Sequence, residues 1–215
     1  FFEQAMEEDS SYALAYAGLA DCYILLPFMG GWKSSDAYPK AKATALKALE
    51  LDSMLAEGYI SLAFVKHYYE WDWAGARRDL RQAIDLKPGH AEAHFSYGMY
   101  LGHLGHVKES ISSMSRAQEL DPLSRNINTN LGDVLLWARR YDDAIEQYKK
   151  TIELHPDFGQ PKRGLAKAYM QKGMFEEAIE VFKASGKYGP LEITYAYMAL
   201  GKKDEALSAL KRLKR

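Results

Sequence analysis

The chain has 215 residues, with 28 Lys and Arg against 29 Asp and Glu, so its formal net charge is -1 and a binder of nucleic acid by bulk positive charge is excluded. At 47% apolar and 27% charged residues the composition is that of a globular chain, and no run of 18 uncharged apolar residues is present to span a membrane. A single cysteine, Cys22, excludes both an internal disulfide framework and a cysteine zinc cage.

No leader-like opening is visible, and with the lone thiol this leads us to expect a cytoplasmic protein. The first residue is Phe1 rather than Met and already sits in an amphipathic pattern, so the sequence reads as a piece of something longer.

A fixed period organises the chain. Set residues 91–124 above residues 125–158, each 34 long, and Gly98 meets Gly132, Leu101 meets Leu135 and Pro122 meets Pro156. In chain order, a partial leading helix at 1–10 is followed by units at 13–54, 56–90, 91–124, 125–158, 159–186 and 187–215, each predicted to be a helix pair. Position 8 of the units stays small (Ala20, Ala63, Gly98, Gly132, Ala166, Thr194), and so does position 20 (Ala41, Ala76, Ser110, Ala144, Ala178, Ala206). Antiparallel helices approach to 8–10 Å only where bulk is absent. Position 24 fills the wider space with Leu80, Met114, Tyr148, Phe182 and Leu210, although the first unit has only Ala45. Pro88, Pro122 and Pro156 end second helices, because the ring supplies no N–H and restricts the residue before it.

Each departure from the period carries an expectation. The first unit holds a nine-residue insertion containing Pro27-Phe28-Met29-Gly30-Gly31-Trp32, which is either a lid over a groove or a plug packed on that unit. The second unit has one extra residue within Tyr69-Glu70-Trp71-Asp72-Trp73 and puts Lys66 where a large apolar group is wanted. The fifth unit is cut short after Phe182, and residues 185–190 are expected to form a turn and a kink in the stack. The last helix ends in a basic face with Lys211, Arg212, Lys214 and Arg215, read as solvated.

The recurring pattern resembles the tetratricopeptide repeat family over essentially the whole length. More narrowly, the segments 12–23, 37–52 and 68–88 look like repeat regions of bacterial signalling proteins and transcription regulators. The resemblance implies an all-α, right-handed superhelical solenoid of antiparallel helix pairs that acts as a protein-interaction scaffold. It also implies that positions 2, 5, 9, 12 and 13 of the first helices face a concave groove, where a peptide or helix of a partner protein is held. A rival expectation is a regulatory region controlling a fused DNA-binding, cyclase or kinase domain. Direct nucleic-acid contact and membrane insertion are not expected; self-association is an open option.

On those positions the protein-binding candidates are Phe64, Tyr68, Phe95, Met99, His103, Asn126, Asp133, Trp137, Arg163 and Lys167, with Asn130 added from position 6 near Arg163 and Lys167, and His67, Thr129, Met170 and Gln171 also fall on them. Rigid aromatic area beside polar groups suits a peptide site. The same residues also have plainer readings. Phe64, Tyr68, Phe95 and Met99 could join adjacent first helices, and Asp133 could pair with Arg163 and Lys167 across neighbouring helices. A carboxylate clamp for a chaperone tail is not expected, since Ala17 with Asp21, Ile60 with Phe64 and Phe95 with Met99 do not match its Lys and Asn pattern.

No phosphate-loop, zinc-protease or nucleophile-elbow signature occurs, so we expect no catalytic residues, no cofactor and no metal. His90 and His94 are four apart, but His90 falls at a turn and no carboxylate or thiol completes a ligand set, so packing is expected of His94 at position 4.

Overall fold

The computed structural model describes residues 1–184 and 190–211 and is all-α, with no strand among those residues. The chain divides into two compact units, Phe1–Leu104 and Gly105–Arg215.

The first unit contains α1 (Phe2–Glu8), α2 (Ala13–Leu25), α3 (Ser34–Leu51), α4 (Ala56–Val65), a π turn (Lys66–Glu70), α5 (Trp73–Leu86) and α6 (Ala91–His103). Helix α2 packs on α3 and α4 on α5, while α2 touches α4 and α4 touches α6, so the three first helices stand side by side. The second unit contains α7 (Val107–Leu120), α8 (Arg125–Trp137), α9 (Tyr141–Leu154), α10 (Gly159–Gln171), α11 (Phe175–Ala184), α12 (Pro190–Ala199) and α13 (Lys203–Lys211), each packed on its successor, with α8 also touching α10.

The helix crossings are built as the period requires. Ala41, Ala76, Ser110, Ala144 and Ala178 are fully buried at position 20, and Ala63 meets Ala76 and Leu80 in one apolar cluster. The tightest crossing involves a large ring. Tyr148 on α9 is fully buried between Gly132 on α8 and Gly164 on α10, where a Cβ would come within 2.5 Å and 2.4 Å of it.

Position 4, expected to pack, turns out to be a donor position. Tyr16 donates to the Ser10 carbonyl at 3.2 Å, Tyr59 to Ser53 at 3.2 Å, Asn128 to Pro122 at 2.8 Å and Lys162 to Pro156 at 2.6 Å, and His94 Nε2 lies 3.0 Å from the Pro88 carbonyl. Five side chains of four kinds therefore tie the start of a first helix to the carbonyl six residues back, in the turn that precedes it. Satisfying that carbonyl fixes how consecutive units join.

Turns within the units share a left-handed residue. Gly105, Gly173 and Gly201 have φ of 79°, 76° and 72°, whereas Arg139 fills the same position at 58° and bears the Cβ crowding that glycine avoids. In the second repeat unit, 56–90, the extra residue is absorbed by the π turn, which ends in Trp71 at φ 58°. Lys66, the misfit of that unit, opens the turn and pairs with Asp79 of α5 at 2.5 Å. Asp72 then caps α5, accepting from the Gly75 N–H at 2.8 Å.

The insertion of the first unit forms the connection between α2 and α3, and α3 runs to 18 residues where α5, α7 and α9 have 14. Its apolar residues stay largely outside, with Phe28 and Met29 68% and 81% exposed. Trp32 lies against Tyr23 at 5.9 Å and under the Lys40 ammonium at 4.6 Å, and Phe28 meets Phe64 edge-on at 6.4 Å. Helix α11 stops at Ala184 after 10 residues. The turn and kink expected at 185–190, and the basic residues Arg212, Lys214 and Arg215, lie outside the described residues apart from the backbone at Pro190.

Candidate functional site

In the first unit, α4, the π turn and α6 bring five of the candidates together. Phe64, Tyr68, Phe95 and Met99 line one cavity of about 190 Å³, with Ile60, Leu80 and Tyr100 behind them. The Phe64 and Tyr68 rings lie 4.3 Å apart, and Tyr68 keeps 39% of its surface exposed. His103 sits at the end of α6, its ring stacked on His67 at 5.3 Å, and the Tyr68 hydroxyl is 3.3 Å from its Nδ1. The wider winding of the π turn carries both His67 and Tyr68 to this edge.

His67 is not a surface group. It is 9% exposed, its Nε2 is 3.1 Å from His103 Nδ1, and its Nδ1 is closed off with no hydrogen-bond partner. Burial, aided by the His103 charge, pushes its pKa down to about 4, so it is neutral at physiological pH. Burial lowers His103 as well, and burial beside Tyr38 lifts the Tyr68 phenol to about 12.

The same wall carries acidic groups that reasoning from aromatic positions passes over. Glu92 at position 2 of α6 lines the cavity, and Ser96 donates to it at 3.3 Å. Protein surrounds this carboxyl even though water reaches it, and that desolvation, with Asp21 nearby, pushes its pKa up to about 7. Asp21 at position 9 of α2 accepts from the buried Ser61 hydroxyl at 2.6 Å and is likewise raised by burial. Glu57 differs, because His90 and Lys87 both reach it at 3.0 Å. The signal for Asp21 and Glu92 is the position rule itself, which does not favour aromatic residues.

The remaining candidates belong to the second unit and are described within it. Trp137 closes α8 with 46% of its surface exposed and lines a recess with Arg139, Tyr141, Lys167, Met170, Gln171 and Glu192. Asn126 is exposed, and Asn130 spends its amide on the Asn126 carbonyl of its own helix at 2.8 Å. Thr129 is a correction: it is 3% exposed, and its hydroxyl returns to the Arg125 carbonyl, so it does not face a groove. Asp133 accepts from the Tyr148 hydroxyl at 2.5 Å, and the charges of Lys167 and Arg163 also act on it. Desolvation raises the Asp133 carboxyl, and the hydroxyl and the two cations partly offset it.

Chemically, the arrangement offers apolar slots with charged rims. His90 bonds to Glu57 and His94 to a carbonyl, and no group of three or more His, Cys, Asp or Glu among the described residues is placed to hold a metal ion. No described helix is long and apolar enough to cross a membrane.

Two tetratricopeptide repeat models match residues 67–125 and 135–195, more than half of the chain between them. The chain belongs to the tetratricopeptide repeat family. A human protein named protein O-mannosyl-transferase TMTC3 is 29% identical over 154 residues, 70% of this chain and 17% of that protein. The transcriptional regulator HilA of Salmonella typhimurium is 30% identical over 134 residues, 60% of this chain and 23% of the regulator. The chain thus spans under a quarter of the length of either relative. Among solved structures, PilW, described as a widely conserved type IV pilus biogenesis factor, matches with TM-score 0.79 and 23% identity over 94% of this chain and 92% of that one. YrrB, described as a tetratricopeptide protein with an unusual peptide-binding site, matches with TM-score 0.57 and 24% identity over 98% and 97%. At such identities the shared property is the tetratricopeptide fold.

Proposed function

We propose that this tetratricopeptide chain is a non-catalytic scaffold whose first-helix face grips a segment of a partner polypeptide, in a cytoplasmic setting that keeps Cys22 reduced. One observation carries the reading. Phe64, Tyr68, Phe95 and Met99 surround an open cavity of about 190 Å³ instead of filling it. An apolar cavity of roughly 150 Å³ accepts benzene, so there is room for one large side chain. Burying such a group contributes about 1.5–3 kcal/mol. The peptide-binding site ascribed to YrrB, which shares the fold, supports the same class of work.

The test compares partner capture by wild type, Phe64→Ala/Phe95→Ala and a control, Leu46→Ala, at an exposed position of the second helix α3, with folding checked by circular dichroism. At least ten-fold weaker capture by the double variant alone is expected; equal recovery by all three folded proteins refutes the groove. The likeness to HilA favours a second reading, in which the same face binds a segment of a longer protein to regulate it. An adjoining effector domain in the coding sequence, with the module binding that domain when added in trans, distinguishes it from a free adaptor.

A further inference from the structure

The cavity of the first unit is not uniformly apolar, and the polar groups at its edge are chemically selective. Glu57 already has a counter-charge in Lys87 and a hydrogen bond with His90. Asp21 and Glu92 do not: among the described residues their partners are the hydroxyls of Ser61 and Ser96, and neither has a cation within ion-pair distance. The Asp21 charge adds to the cost of ionising Glu92, and the Glu57 charge to that of ionising Asp21. Two like carboxyls held together without a counter-charge favour a cation and disfavour an anion. Phe64, Tyr68 and Phe95 add ring faces, which attract ammonium and guanidinium groups. His67, nine-tenths buried, lines the same cavity with an Nδ1 that no protein group satisfies.

Resting on the scaffold reading above, we propose that the partner segment carries a large apolar side chain next to a lysine or arginine. The apolar group fills the cavity beneath Phe64 and Phe95, and the cation sits between Glu92 and Asp21. An acidic segment would bring its charge against two unpaired carboxylates, and an uncharged one would leave them unpaired.

The experiment titrates the full chain with the capped hexapeptide Gly-Ser-Phe-Lys-Ser-Gly and with versions in which Phe-Lys becomes Phe-Gln, Phe-Glu or Ala-Lys, followed by amide chemical shifts. Tightest binding by the Phe-Lys peptide is expected, with Phe-Gln weaker by about five-fold and Phe-Glu weaker still, as for a partly exposed charge pair worth about 1 kcal/mol. Glu92→Gln and Asp21→Asn should each weaken the Phe-Lys peptide by a similar factor and leave the Phe-Gln peptide unchanged, a pattern that loss of structure would not produce. If Phe-Glu or Phe-Gln binds as well as Phe-Lys, the charge assignment falls and the groove stands. If phenethylamine alone binds as tightly as the peptide, the site is for a small amine and the polypeptide assignment falls. If no peptide binds, this proposal falls, and the capture experiment with Phe64→Ala/Phe95→Ala decides separately whether the scaffold reading falls with it.

Discussion

Replacing Gly164 by Ala tests whether the Tyr148 ring sets the helix spacing in the second unit. The added methyl would lie 2.4 Å from two ring carbons and 2.8 Å from the hydroxyl oxygen. The ring has no retreat, because Gly132 faces its other side at a similar approach and its hydroxyl is bonded to Asp133. Overpacking costs about 1–3 kcal/mol, and a ring without retreat puts this site in the upper part of that range, about 2–3 kcal/mol, while replacing a helical glycine by alanine returns about 1 kcal/mol. We therefore expect Gly164→Ala to lower stability by about 1–2 kcal/mol, which for a chain of this size lowers the melting temperature by roughly 2–8 °C. In a Tyr148→Ala background, itself about 3–5 kcal/mol less stable, the ring is gone and the same glycine substitution should raise stability by about 1 kcal/mol. The assay is a four-protein cycle followed by urea melts and circular dichroism. A coupling of about 2–3 kcal/mol with reversal of sign is expected. Equal effects of Gly164→Ala in both backgrounds would show that the helices yield and that the ring does not govern their distance.

Three other predictions concern the turns, the acidic wall and the polar interior. Arg139→Gly should raise the melting temperature by a few degrees and Gly173→Ala lower it, since both positions sit at positive φ where a Cβ costs about 1 kcal/mol; equal shifts in one direction would contradict this. For Glu92, folding raises the carboxyl from about 4.5 to about 7, so the stability it contributes is present below the unfolded value and is lost as the pH rises through 7. His67, held neutral down to about 4, acts oppositely and loses its contribution as the pH falls from 6.5. Removing only the first effect with Glu92→Gln should make the variant's melting temperature gain on wild type from pH 5 to about pH 7 and level off above it, and a flat difference throughout would refute the assignment. Asn128→Ala should cost about 3 kcal/mol, because Gln118 and Gln147 lose their acceptor and two carbonyls lose a donor in a buried network. Tyr59→Phe, at the same repeat position but with its hydroxyl bond at the surface, should cost under about 1 kcal/mol by the same urea melts.

The period is legible because helix crossings punish bulk: Ala76, Ala144 and Ala178 are small wherever α-helices approach, and that demand repeats regardless of what the protein binds. First helices begin at Ala13, Ala56, Ala91, Arg125 and Gly159 in both sequence and structure for the same reason. Position 4 escapes the pattern because its constant is a bond rather than a side-chain class. Tyr16, His94, Asn128 and Lys162 share no size or charge, only a polar tip at the right distance from one carbonyl. The groove rule misplaces Thr129 because its short side chain satisfies its own helix and packs inward. The partner of Asp133 follows from a pairing that spacing does reveal: a tyrosine at position 24 opposite Gly132 at position 8 passes between the helices, so its hydroxyl emerges beside position 9. The extra residue of the repeat at 56–90 is countable, but whether a chain stores it in a loop or in a π turn depends on what the next helix offers, here the Lys66–Asp79 pair and the Asp72 cap. For Asp21 and Glu92 the sequence gives only their groove-facing positions, because carboxylates on a helix surface are ordinarily solvated and their type adds nothing. What gives them meaning is the absence of a counter-charge in a partly desolvated wall, a property of three helices together and of no residue alone. The repeat pattern thus specifies the frame, and the chemistry of recognition sits at the positions the pattern leaves free.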